Sequence, residues 1–185
     1  QRLAVMRCSC SDTQARQRRD RQMRPESLAD RAVLLDGYNL LITVEAALGG
    51  GVLFVARDGC IRDLAGIHGT YRKVAETGPA IAATDTILNK LQAAKVTWLL
   101  DRPVSNSGRL KKVILHYAAE KNRPWTVDLV QNPDPILIDA DTLVATSDSA
   151  ILDVCGPWVN LTRRIIDELC SETPVRLLDL SHDPA

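Results

Sequence analysis

Arg31-Ala-Val-Leu-Leu-Asp-Gly-Tyr-Asn39 decides how this chain is read. Val33, Leu34 and Leu35 are consecutive apolar residues without helical spacing. That pattern suits a strand buried on both faces, as in a parallel sheet. Asp36-Gly37 ends the run. Glycine tolerates backbone shapes that other residues avoid, so a sharp turn is expected at Gly37. Asp36 would then stand at the carboxyl end of the strand, where open α/β sheets hold their ligands. Asn39 adds an amide donor and acceptor just beyond the turn. Taken alone, this is a strand followed by an Asx-type turn, a common use of Asp-Gly.

The pattern recurs twice, and that gives it weight. Val96-Thr-Trp-Leu-Leu100 runs into Asp101, with Pro103 stopping further pairing. Leu143-Val-Ala-Thr146 is followed by Ser147-Asp148-Ser149. Between these runs lie helical patterns. Residues 79–95 carry Ile81, Ile87, Leu88 and Leu91 at helical intervals, and Leu110, Val113, Ile114, Tyr117 and Ala118 form a second stripe. Trp125–Val130 alternates as a strand, and Val175–Leu180 reads as a last strand at a sheet edge. Alternating strand and helix predict an α/β fold, a three-layer α/β/α sandwich with a mainly parallel sheet.

Some stretches read less regularly. Val52–Val55 suits a short strand that pairs as a hairpin, and Cys60 to Lys73 is expected to be helical. Gly49-Gly-Gly51 lacks the spacing of a phosphate cradle and reads as a turn. Asn132-Pro-Asp-Pro135 reads as a linker, and His68 as a structural or surface residue.

Residues 1–30 form a basic N-terminal arm ahead of a domain spanning residues 31–185. Arg16, Arg18, Arg19, Arg21 and Arg24 crowd into the arm, either as a solvated helix or as a strip that grips phosphates. Across the 185 residues the formal net charge is zero, so global charge selects neither nucleic acid nor membrane. At 45% hydrophobic with few aromatics, the core is aliphatic. No run reaches membrane-span length. The five cysteines are irregularly spaced, which predicts reduced thiols and a cytoplasmic protein rather than a disulfide framework or a zinc site.

Parallel strands align their carboxyl ends, so Asp36, Asp101 and Asp148 are expected to converge. Packed carboxylates repel and stay ionised only around a cation. An all-oxygen site suits Mg²⁺ or Mn²⁺. Such an ion activates water and neutralises charge on a phosphate oxygen, which points to phosphodiester hydrolysis. Expected substrate contacts are Asn39, Ser147, the loop residues Arg102, Ser105, Asn106 and Ser107, and the helix cations Lys111 and Lys112.

Leu34-Leu-Asp-Gly-Tyr-Asn-Leu40 and Val144-Ala-Thr-Ser-Asp-Ser-Ala-Ile-Leu152 resemble the first and last acidic motifs of PIN-like nucleases. The NYN-type branch is closest, in particular an uncharacterised family with a basic arm before its PIN-like domain. The resemblance covers residues 31–180. It implies a metal-dependent ribonuclease with catalytic acids Asp36, Asp101 and Asp148 at the strand ends. The family often adds an acid from a middle helix, where Glu76 and Asp85 match poorly. Asp153 is the expected replacement ligand, ahead of Asp139 and Asp141. The implied partner is RNA, with no membrane and with homodimerisation left open. The alternative is a non-catalytic RNA-binding module on the same fold. A haloacid-dehalogenase-type phosphatase needs an aspartate where Tyr38 stands, and a dinucleotide-binding domain needs a glycine fingerprint that is absent.

Overall fold

Each of the three aspartate-ended runs forms a strand of one sheet in the computed structural model, which describes residues 2–64 and 75–181. In chain order the elements are α1 (Arg2–Cys8), α2 (Asp12–Arg21), β1 (Gln22–Met23), a 3-10 turn (Pro25–Leu28), β2 (Ala32–Asp36), α3 (Gly37–Leu48), β3 (Val52–Val55), β4 (Ile61–Arg62) and α4 (Thr77–Lys90). There follow β5 (Lys95–Asp101), α5 (Ser107–Glu120), β6 (Trp125–Val130), α6 (Pro133–Ile138), β7 (Leu143–Ala145), α7 (Ser149–Val154), β8 (Trp158–Val159), α8 (Leu161–Glu172) and β9 (Arg176–Asp179).

Six strands make the central sheet in the order β1-β8-β7-β2-β5-β6, and every neighbouring pair is parallel. β2 lies at the centre. From it the chain first builds outward through β5 and β6, then returns to β7 and β8 on the other side. The reversal between β2 and β7 is a topological switch point, where the connections diverge and leave a crevice at the carboxyl ends. Asp36 and Asp148 flank it.

Alternation along the strands sorts the two faces. Val33 and Leu35 of β2, with Val96, Trp98 and Leu100 of β5, face the large core shared with α3, α4, α5 and α8. Leu34, Leu99 and Val144 face a smaller core with Leu137 of α6 and Ile151 and Leu152 of α7. The result is the expected α/β/α sandwich. Burying such side chains contributes about 1.5–3 kcal/mol each, so the sheet centre anchors the strand ends firmly.

Several expectations change. The helix expected from Cys60 begins instead as β4, which pairs antiparallel with β3; Asp58-Gly59 turns between them, with Gly59 at φ +80. Residues 65–73 of that expected helix, His68 and Tyr71–Lys73 among them, lie outside the described residues. β9 joins β3 in this second, three-stranded sheet rather than the edge of the first. The Asn132–Pro135 linker is the start of α6, with Asn132 capping it and Pro133 in its first turn. Gly37 has no left-handed φ. It is required for space: a Cβ there would sit 2.7 Å from the Leu99 carbonyl and 2.6 Å from Leu100 Cδ2.

The N-terminal arm is neither loose nor merely solvated. α2 starts in a capping box between Ser11 and Gln14 and packs on α7, and β1 closes one edge of the central sheet beside β8. All five cysteines are free thiols. Among the described residues no helix is long and apolar enough to cross a membrane.

Candidate active site

β2, β5 and the end of β7 deliver Asp36, Asp101 and Asp148 to one cleft of about 370 Å³. Tyr38, Asn39, Ile42 and Pro133 line it as well. Two further carboxylates join them, Asp63 from just after β4 and Asp134 from the first turn of α6. Arg7 of α1 reaches the same cleft. A second hollow of about 250 Å³, lined by Met6, Arg62, Ser147 and Ser149, shares Arg7, Asn39 and Asp148 with the first.

Asp36 is buried, 8% exposed. It occupies the N-cap position of α3 but makes no capping bond. Its Oδ2 instead accepts a 2.6 Å hydrogen bond from Thr146 Oγ1, whose oxygen accepts from the Asp148 backbone N–H. One hydroxyl therefore ties the ends of β2 and β7 together across the switch point. Burial pushes the Asp36 carboxyl up to about 7, and the charges of Asp148, Asp134 and Asp101 add to the rise against the Thr146 bond. Asp101 is raised by burial and by Asp134, and Asp134 by burial and by Asp148. Burial and Asp101 push the Tyr38 hydroxyl up to about 12, so it stays a neutral phenol.

Asp148 does carry the local role expected of a turn aspartate. Its Oδ1 accepts from Ala150 N at 2.7 Å and from Ile151 N at 3.3 Å, capping α7. Asn39 holds the same loop, its Oδ1 accepting from Ser147 N at 3.0 Å. Asp63 is 3% exposed; its Oδ2 accepts from Thr43 Oγ1 at 2.7 Å. Its Oδ1 has no hydrogen-bond donor and lies 3.7 Å from Arg7 Nη1. Ser147 Oγ is likewise buried without a partner.

Behind the cleft lies a buried ion network. The Asp58 carboxylate receives Arg18 Nη1 and both terminal nitrogens of Arg62. Arg62 Nε then donates to the Ser147 carbonyl at 2.8 Å, fixing the residue that precedes Asp148. Burial alone would raise the Asp58 carboxyl, but Arg62 and Arg18 bring it below its ordinary value. Arg18, expected by sequence either in a solvated helix or in a phosphate-gripping strip, is 2% exposed.

Other expected site residues stand elsewhere. Asp153 does not reach the cleft: it accepts from Arg18 Nε at 2.8 Å and from Gln14 Nε2 at 2.9 Å, on the side where α2 packs on α7. Asp85 is buried against Arg123 and Tyr117, and Glu76 is the N-cap residue of α4. Asp139 and Asp141 line an apolar hollow beside Leu34. Arg102, Ser105, Asn106, Ser107, Lys111 and Lys112 do not line the cleft. Arg102 turns to the Leu129 carbonyl, and the Ser107 hydroxyl is taken by the Arg102 carbonyl. Asn106 holds the left-handed turn, φ 69, that starts α5.

The donor set is all oxygen. Mg²⁺ commonly keeps several waters and takes only one or two protein carboxylates, which Asp36, Asp63 and their neighbours can supply. Among the described residues no three His, Cys, Asp or Glu side chains stand close enough together to hold an ion by themselves. Oxygen donors spread in this way would suit a hydrated hard cation and not a closed protein cage.

The sequence profile described as "Domain of unknown function (DUF5616)" matches residues 25–164. The chain belongs to this family. The DUF5616 match contains all five cleft aspartates and excludes α1 and α2, which supply Arg7 and Arg18. A relative, "Uncharacterized protein MJ0935" of Methanocaldococcus jannaschii, is 29% identical over 155 residues, covering 82% of this chain and 72% of the relative. No solved structure matches.

Proposed function

We propose that the cleft is the active site of a metal-dependent ribonuclease of the PIN-like, NYN-type kind, acting in the cytoplasm on single-stranded RNA. The observation that carries this reading is the gathering of Asp36, Asp101 and Asp148, with Asp63 and Asp134, at the switch-point end of a parallel sheet. Burial, with Asp148, Asp134 and Asp101 nearby, raises the Asp36 carboxyl, so its ionised form favours the positive charge of a cation in the cleft. A bound Mg²⁺ or Mn²⁺ would supply that charge, lower the pKa of a water and polarise the scissile phosphate. Asp36 and Asp63 are the residues that would hold it, with Asp101, Asp134 and Asp148 lining the same cleft.

This chain's own residues do the rest. Thr146 orients Asp36, Asn39 and Arg62 hold the Ser147–Asp148 loop, and Arg7 brings a guanidinium to the phosphate. The five free thiols support the reducing compartment.

A second reading, an RNA-binding module without catalysis, is favoured by the spread of the acids: among the described residues no three stand at ligand spacing. End-labelled single-stranded RNA incubated in Mn²⁺ separates the two. Cleavage that EDTA stops and that Asp36→Asn abolishes is expected. Binding without cleavage by the wild type would select the binding module, and undiminished cleavage by Asp36→Asn would remove the assigned site.

A further inference from the structure

α2 sorts its arginines by face. Gln14, Arg18 and Arg21 point inward, where Arg18 enters the Asp58 network and Arg21 bonds to the carbonyls of Leu152, Asp153 and Cys155. The side chains of Arg16 and Arg19 point outward, exposed and in no ion pair or hydrogen bond among the described residues. With Arg57, from the turn after β3, they surround a separate pocket of about 300 Å³. Asp12 lines it too, but its carboxylate already meets Arg57, whose other terminal nitrogen donates to the Cys10 carbonyl. Asp12 and Arg57 thus engage each other, and Arg16 and Arg19 give the lining its surplus positive charge in a chain whose formal net charge is zero.

We infer that this pocket is a phosphate-binding exosite for the RNA backbone, which holds the strand outside the acidic cleft; it rests on the ribonuclease reading for its substrate class. Guanidinium groups match phosphate oxygens bidentately and are weakly hydrated, so several around one hollow favour a phosphodiester over a lone carboxylate. The two sites adjoin. Arg7 lines the cleft, and the carbonyl of the next residue, Cys8, accepts from Arg57 N at 3.0 Å. α1 and the Arg57 turn thus link the two sites, and a bound strand would run past α1 between them. The division of labour also answers an electrostatic need. Five aspartates repel the phosphates they are to act on, and a basic exosite restores the attraction at a neighbouring position. Arg16 and Arg19 lie outside the DUF5616 match, so the exosite is built across the arm and the family domain.

The test is fluorescence anisotropy of a labelled single-stranded RNA with the full chain in EDTA across a salt series, where no hydrolysis intervenes. Each phosphate contact contributes about 0.7 to the slope of log affinity against log salt for a single strand. The double variant Arg16→Gln/Arg19→Gln, both side chains exposed, should lower that slope by about 1.4. The corresponding lysine pair should restore it. An unchanged slope would overturn the exosite, as would a polyglutamate peptide that displaces the RNA at equal charge concentration. Wild-type cleavage in Mn²⁺ with an unchanged slope removes the exosite alone. A lowered slope without cleavage removes the ribonuclease reading and leaves the exosite standing.

Discussion

Asp36 and Asp58 both bury their carboxylates, and burial pushes both proton affinities upward. Around Asp58 two guanidiniums more than reverse the push. Around Asp36 the neighbouring charges that weigh most are other aspartates, and one threonine hydroxyl offsets them only in part. The same side chain is thus satisfied in one place and left short of positive charge in the other. The difference separates an ion network that closes on itself from a cleft whose acids, on the proposed function, would be completed by a cation.

The comparison breaks most visibly at Asp58. Asp58→Asn leaves Arg18 and Arg62 buried with half their countercharge gone, and removing one partner of a buried pair costs about 3–5 kcal/mol. Urea denaturation at neutral pH should show a loss of that size. A loss under about 1 kcal/mol would mean that the network is not a supporting element.

The pH dependence sharpens it next. The folded pKa of Asp36, about 7, lies above its unfolded value, so its favourable contribution is full below about pH 4 and disappears as pH rises through 7. Asp58 has the opposite sign: its contribution is present above about pH 4 and is lost as pH falls through its lowered value. Between pH 4 and 8 the wild type should therefore lose stability, on the order of a few kcal/mol, with Asp101 and Asp134 adding to the slope in the same direction. Asp36→Asn should flatten most of that slope and be the more stable protein at pH 8. Parallel denaturation curves of the two proteins across this range would contradict the assignment.

The smallest expected change is at Asp153. Arg18 keeps Asp58 when Asp153→Asn is made, and the site is partly exposed, so a loss of about 1 kcal/mol is expected. Its response to Mn²⁺ should equal that of the wild type. A lost response would return Asp153 to the metal site.

The sheet and three of its acids were legible because each is an apolar run ending in aspartate, which burial on both faces and a carboxyl-end turn require. Asp63 and Asp134 were not legible. Asp63 follows a strand of two residues in the second sheet, and Asp134 stands between two prolines that read as a linker. Arg18 was hidden for another reason. The inward face of α2 is Gln14, Arg18 and Arg21, so its burial rests on ion pairs, and apolar periodicity carries no trace of it. Asp153 was expected in the cleft because its place one turn into α7 is close to Asp148 in sequence, but its side chain faces α2. Gly37 was singled out correctly as a glycine, but for its turn rather than for the β5 backbone that excludes a Cβ.

The central claim is that the cleft carboxylates await a divalent cation. Thermal melting at pH 8, where Asp36 is ionised, with and without millimolar Mn²⁺, tests it most directly. A ligand at a hundredfold over its Kd contributes about 2.7 kcal/mol, and for a chain of this size that raises Tm by about 5–10 °C. The wild type should show that rise and Asp36→Asn should lose it. A wild type whose Tm is indifferent to Mn²⁺, or an Asn variant that gains as much, would contradict the claim.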